Sequence, residues 1–159
     1  MKKAKLLKKI IAALKENLAV LDKAAQTSRA EATHESSKAE SKYDTRGLEA
    51  GYLASGQARQ ARELLDSIKI YEALPLRDFG PDEPVNLTAL LSLDIDGSRS
   101  WYFIGPKNGG LEIEQSGEEI LVITPQSPLG ENLIGRQAGQ RWTAKLGGST
   151  VKYHLVSVS

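Results

Sequence analysis

Residues Ser41-Lys42-Tyr43-Asp44-Thr45-Arg46-Gly47-Leu48-Glu49 set two carboxylates and two cations close together between long helical patterns. A carboxylate pair can act on one atom only if the two side chains converge. A spacing of three puts both on one face of a helical turn. The spacing of five between Asp44 and Glu49 rotates them by about 140° on a regular helix. Convergence therefore requires irregular backbone between them, and Gly47 permits it. Each acid also has a local use. Asp44 is a good N-cap for a following helix, and Glu49 in its first turns is favoured by the helix dipole. Glu35 and Glu40 read as solvated, with Glu40 the reserve acid if the bend lies earlier.

Other chemistries are poorly served. The chain has no cysteine, which excludes disulfides, thiolate metal sites and cysteine nucleophiles. His34 and His154 lack partners at metal-ligand or triad spacing. No serine sits in a G-x-S-x-G context, and glycine-rich phosphate loops are absent. With 21 Lys+Arg against 20 Asp+Glu, the formal net charge of +1 argues against a general nucleic-acid binder. Lysines 2, 3, 5, 8 and 9 make the amino end locally cationic. The apolar run Ile10–Leu14 is short and is broken by Lys15 and Glu16, so no signal peptide is expected. No run approaches the roughly 18 apolar residues of a membrane span. The expectation is a soluble cytoplasmic protein.

Two halves with different periods must position the acidic stretch. From Lys2 to about Glu40 there is neither proline nor glycine. Leu7, Ile10/Ile11, Leu14, Leu18, Leu21 and Ala25 form one helical stripe. Leu53, Ala58, Ala61, Leu64/Leu65, Ile68 and Tyr71 form a second, ending before Pro75. Two such helices joined by a bend near Tyr43–Gly47 read as an antiparallel coiled-coil hairpin over residues 1–75. The rod from Leu48 to Ala73 would be roughly 40 Å long. Residues 76–84, rich in proline and acid, read as a linker. Residues 85–159 carry strand-like runs in NLTALLSLDI, SWYFIG, EILVIT, RWTAKL and VKYHLVSV, with Gly147-Gly148 turning the last hairpin. One short helix is expected after Pro128. The fold class is α+β, a helical hairpin followed by a mostly antiparallel sheet, with Trp101, Phe103, Trp142 and Tyr153 assigned to its core.

The segment ILVITPQSPLGENLIGRQAGQRWTAKLGGSTVKYHLVSV resembles the carboxy-terminal domain of the Gre family of bacterial transcript-cleavage factors. It has a strand, a Ser127-Pro128 opening to a short helix, a Leu133-Ile134-Gly135 closure and a glycine-turned final hairpin. The likeness spans roughly Asn86 to Val158, and the length and hairpin-first order also fit. The resemblance implies an FKBP-like carboxy domain that docks on RNA polymerase through Ser127 and Pro128. It implies a hairpin that enters the polymerase secondary channel and a tip whose acids help hold a Mg²⁺ of the polymerase active site. Mg²⁺ is commonly held by only one or two carboxylates together with phosphate oxygens and water. A two-metal site stabilises both oxygens of an in-line displacement.

Carried onto this chain, the resemblance makes Asp44 and Glu49 the catalytic and Mg²⁺-associated carboxylates. Lys42, Arg46 and Arg59 become RNA contacts within the elongation complex, with Lys38 and Arg62 along the same rod. The factor would be a monomer without an active site of its own, stimulating the polymerase's intrinsic cleavage of backtracked RNA. The family tip reads Asp-x-x-Glu-Asn, and here Gly47 stands at the glutamate position. That departure motivates an alternative, a channel-occupying polymerase regulator or inhibitor without cleavage stimulation. Prolyl isomerisation is suggested only by the FKBP-like fold, and a fold does not carry chemistry with it.

Overall fold

The computed structural model describes residues 1–33 and 46–159, apart from the side chains of residues 25, 28–33, 46–55 and 146. The chain divides into two compact units, Met1–Ile10 with Ala73–Ser159, and Ile11–Glu72. The first ten residues, which periodicity places on a helical stripe, thus belong to the same unit as the sheet.

Helix α1 (Lys3–Thr33) has no internal proline or glycine; its buried face is Leu6, Ile10 and Leu14, whereas Leu7, Leu18 and Leu21 of the expected stripe are only partly buried. Helix α2 (Arg46–Glu72) has Lys69 in its last turn, where a cation complements the helix dipole. Pro75 follows and cannot continue the helical hydrogen-bond ladder. Within the helical unit, Leu14, Ile68 and Tyr71 are buried, and Lys15 Nζ lies 3.1 Å from Glu72 Oε1. That ion pair joins the early part of α1 to the end of α2. The bend expected at Tyr43–Gly47 lies outside the described residues up to Thr45, whereas Arg46 and Gly47 belong to α2. No helix among the described residues is long and apolar enough to cross a membrane.

The sheet contains β1 (Leu90–Ile95), β2 (Ser98–Ile104), β3 (Glu112–Gln115), β4 (Glu118–Ile123), β5 (Arg141–Leu146) and β6 (Ser149–Val158). Its spatial order is β3-β4-β2-β1-β6-β5. Neighbours are antiparallel except β2 and β4, which run parallel. Three hairpins close on two-residue turns with positive φ at both positions, Asp96-Gly97, Ser116-Gly117 and Gly147-Gly148. This geometry suits the right-handed twist of the flanking strands.

Strand alternation divides the buried residues between two faces. Leu91, Leu93, Tyr102, Ile104, Tyr153 and Leu155 pack with Phe79, Val85 and Leu133. Leu90, Phe103, Ile120 and Val122 alternate to the other face and are also buried. Helix α3 (Pro128–Leu133) supplies Leu133 to the first of these clusters. The first turns of α1 are tied to β3, where Lys9 Nζ donates to the Glu114 carbonyl and Gln115 Nε2 donates to the Lys2 carbonyl.

Candidate functional site

The Ser127-Pro128 motif folds into a capped helix entrance. Ser127 has extended backbone (φ −67°, ψ 153°), and Pro128 occupies the first helical turn, where its missing N–H costs nothing. Ser127 Oγ accepts from Gly130 N at 3.1 Å and donates to the Thr124 carbonyl at 2.7 Å. One hydroxyl thus joins the end of the β4 segment to the start of α3. Gly130 is required by space: a Cβ there would stand 1.8 Å from the Thr124 carbonyl oxygen. The other end of α3 closes on Ile134, whose N–H donates to Gly130 O, and on Gly135 at φ +85°.

The chain leaving α3 is fixed from two sides. Val85 N donates to Arg136 O at 2.7 Å and Gly135 N donates to Val85 O at 2.9 Å. Arg136 Nε and Nη2 donate to the carbonyl and side-chain oxygen of Asn132. The Arg136 guanidinium lies 3.8 Å from the Trp142 ring centroid, and Trp142 stacks on Tyr153 at 5.3 Å and 8°. A cation on an aromatic face is favourable and is held here by a planar fork. The Ser127–Arg136 surface is therefore rigid, with its backbone set by hydrogen bonds and its base set by stacking.

Of the residues singled out in the sequence, Ser127 and Pro128 come together in this way. Lys38, Lys42 and Asp44 lie outside the described residues. Arg46 and Glu49 fall in α2, with side chains outside the described set. Arg59 and Arg62 are exposed on α2. Gly47, where irregular backbone was expected, lies in the helix from its second residue. Among the described residues no group of three or more histidine, aspartate or glutamate side chains could hold a metal ion.

Sequence reasoning missed Lys3. Only 8% exposed, its Nζ donates to the carbonyls of Arg77 and Thr88 and sits 4.9 Å from the Phe79 ring centroid. The Arg77 guanidinium is 5.0 Å from the same ring. Burial lowers the Lys3 pKa below the ordinary 10.5; the Asp78 charge opposes that shift and the Arg77 charge adds to it. The available signal was periodicity, because Lys3 extends the Leu14, Ile10, Leu6 stripe by one further turn.

No protein-family model and no curated protein matches the chain. Solved structures do. GreA factor homolog 1 (Gfh1) of Thermus thermophilus is 20% identical with a TM-score of 0.37, over 98% of this chain and 93% of that one. Gfh1 of Thermus aquaticus is 19% identical with a TM-score of 0.38, over 98% and 92%. The elongation factor GreA/GreB from Nitrosomonas europaea is 20% identical with a TM-score of 0.36, over 60% and 78%. These three solved structures are a Gfh1 protein from each of two Thermus species and a GreA/GreB factor.

Proposed function

We propose that the protein is a Gre-like transcription elongation factor that binds RNA polymerase through its secondary channel and stimulates cleavage of backtracked RNA. The observation that carries this reading is the Ser127–Arg136 surface. The residues that bear the family resemblance form one pre-organised element, capped at Ser127 and locked at Arg136. In this reading the sheet unit is FKBP-like and docks on the polymerase, while α1 and α2 form an antiparallel coiled-coil hairpin. The 27 residues of α2 make a rod of about 40 Å, long enough to carry Asp44 and Glu49 to a distant pocket. There they would add oxygen ligands to a Mg²⁺ of the polymerase, with Lys42, Arg46 and Arg59 against RNA phosphates.

The test is a backtracked elongation complex incubated with the protein and Mg²⁺. Release of short 3′ RNA fragments is expected. Asp44→Ala should abolish release and leave polymerase binding intact; equal cleavage by both proteins would remove Asp44 from the tip.

One observation favours a second reading. Because α2 is already helical at Gly47, positions 47 and 49 lie on different faces of a regular helix. Glu49 then replaces the missing family glutamate poorly, which suits a channel-occupying regulator or inhibitor. Such a protein would compete with a cleavage-active factor and release no RNA. Gain of cleavage by Gly47→Glu supports this second reading, and an unchanged Gly47→Glu removes its basis.

A further inference from the structure

The two edges of the sheet are treated differently. At one edge, β3 presents exposed Glu112 and Glu114, and the first turns of α1 lie along it through Lys9 and Lys2. At the other edge, the β5 backbone pairs with β6 alone among the described residues. An edge strand with free N–H and C=O groups is a template for one more strand.

The side chains on that edge have a consistent sign. Arg141, Thr143 and Lys145 are exposed at alternate positions, while Trp142 and Ala144 pack on the core. Register sets Arg141 opposite His154, Thr143 opposite Lys152 and Lys145 opposite Thr150. Arg141, Lys145 and Lys152 form no ion pair among the described residues. A cleft of about 490 Å³ is lined here by Arg141, Thr143, Lys152 and His154, by the aromatic rings of Trp142 and Tyr153, and by Asp94 and Asp96. Asp94 is ion-paired through one oxygen, whereas Asp96 keeps its charge. Asp94 Oδ2 accepts from Arg99 at 3.2 Å, and Asp96 Oδ1 accepts from the Lys152 backbone N–H at 2.8 Å. Arg141, Lys145 and Lys152 thus outnumber the one carboxylate of the cleft without an ion pair, Asp96, and the charge offered to a ligand is positive.

Two kinds of occupant are disfavoured. A nucleobase would need a free aromatic face, but the two aromatics of the cleft, Trp142 and Tyr153, already stack on each other, and the Arg136 guanidinium lies against Trp142. A second β5 edge would bring like charges together, and the acidic β3 edge of another copy is already engaged by its own α1. An acidic strand meets neither obstacle. Alternate residues of an extended chain recur about every 6.6 Å on one face, matching the row Arg141, Thr143, Lys145.

We propose that β5 is a docking edge for an acidic, extended segment of a protein partner, which adds beside Arg141–Leu146 and sets alternate carboxylates against Arg141, Lys145 and Lys152. This goes beyond the cleavage reading and does not depend on it.

The experiment titrates the isotopically labelled full chain with an eight-residue peptide alternating glutamate and threonine. Its glutamine–threonine counterpart and an eight-nucleotide oligouridylate are run alongside, and amide shifts and hydrogen exchange are followed by nuclear magnetic resonance. Saturable shifts centred on residues 141–146, with new exchange protection along β5, are expected from the glutamate peptide. The glutamine peptide should bind at least ten-fold more weakly. The double variant Arg141→Gln/Lys145→Gln should lose about ten-fold in affinity with its remaining spectrum unchanged, while Lys8→Gln binds as the parent does. No saturable binding, shifts centred elsewhere, equal binding of both peptides, or stronger binding of the oligouridylate at the same amides would each overturn the proposal. The assay contains no polymerase, so its failure is distinguishable from failure of the cleavage reading.

Discussion

The sheet unit and the helical unit are specified by different means. In the sheet unit, side chains fill both faces of the central strands; Leu93, Phe103, Ile120, Leu133 and Leu155 are wholly buried. Each contributes transfer free energy of a few kcal/mol at about 25 cal/mol per Å². In the helical unit the fully buried large side chains among the described residues are Leu14 and Tyr71, while Val20 is 67% exposed and Leu65 44%. Its described part therefore depends more on helix-forming residues than on packing. Substitutions in the sheet unit should accordingly act through cavities and clashes, and those along the helices through propensity.

The sharpest test pairs Phe103→Ala with Val20→Ala. Phe103 lies between Leu90 and Val122 in the register of β1, β2 and β4. Truncating it should cost about 3–5 kcal/mol in urea unfolding. Val20→Ala should stay within about 0.5 kcal/mol, as exposed substitutions do. Equal losses would break the distinction between the units. Next in size is Gly130→Ala. The intruding methyl meets backbone at Thr124, which cannot swing aside as a side chain can. A loss of about 1–3 kcal/mol is expected, read as a lower unfolding midpoint.

The strands and caps of the sheet unit were largely legible because their signals are local. Alternation in RWTAKL and the glycine pair after it located β5 and the final turn. Ser before Pro located the start of α3. Strand β3 escaped notice because Glu112-Ile113-Glu114-Gln115 has one aliphatic residue and buries a glutamine, which hydropathy reads as polar. The membership of Met1–Ile10 in the sheet unit was illegible for another reason. A helical stripe records that a face is buried, not what covers it. The Trp142–Tyr153 pair follows from the register of the β5–β6 hairpin, whereas Arg136 is brought onto it only by the tertiary fold. Of the candidate site, Ser127 and Pro128 were readable as the opening of a short helix. Lys42 and Asp44 lie outside the described residues.

Ser127 separates a structural role from a binding one. Ser127→Ala removes the acceptor for Gly130 N and should cost about 1 kcal/mol. Ser127→Asn keeps a capping oxygen and should recover most of that stability. If polymerase binding, followed by co-sedimentation, falls in the alanine variant and returns with asparagine, the cap alone explains the contribution of Ser127. Binding that stays low in the well-capped asparagine variant would instead assign the hydroxyl a direct contact.

The smallest effect concerns Lys3, which ties the start of α1 to the rest of the sheet unit. Its partner Thr88 is a buried β-branched residue at φ +72°, a conformation that side chains of this type seldom adopt. The Thr88 carbonyl accepts from Lys3, and its hydroxyl accepts from Arg77 N at 3.2 Å. Because burial lowers the Lys3 pKa in the fold, the unfolded chain binds the proton more tightly. Below the folded value the group opposes folding to its full extent. As pH rises from there toward 10.5, the folded protein releases the proton first and this opposition fades. The parent should therefore gain stability relative to Lys3→Met across that window, while the remaining lysines titrate alike in both. Parallel urea midpoints over the same pH range would show instead that the Lys3 charge is fully compensated by its carbonyls and the Phe79 ring.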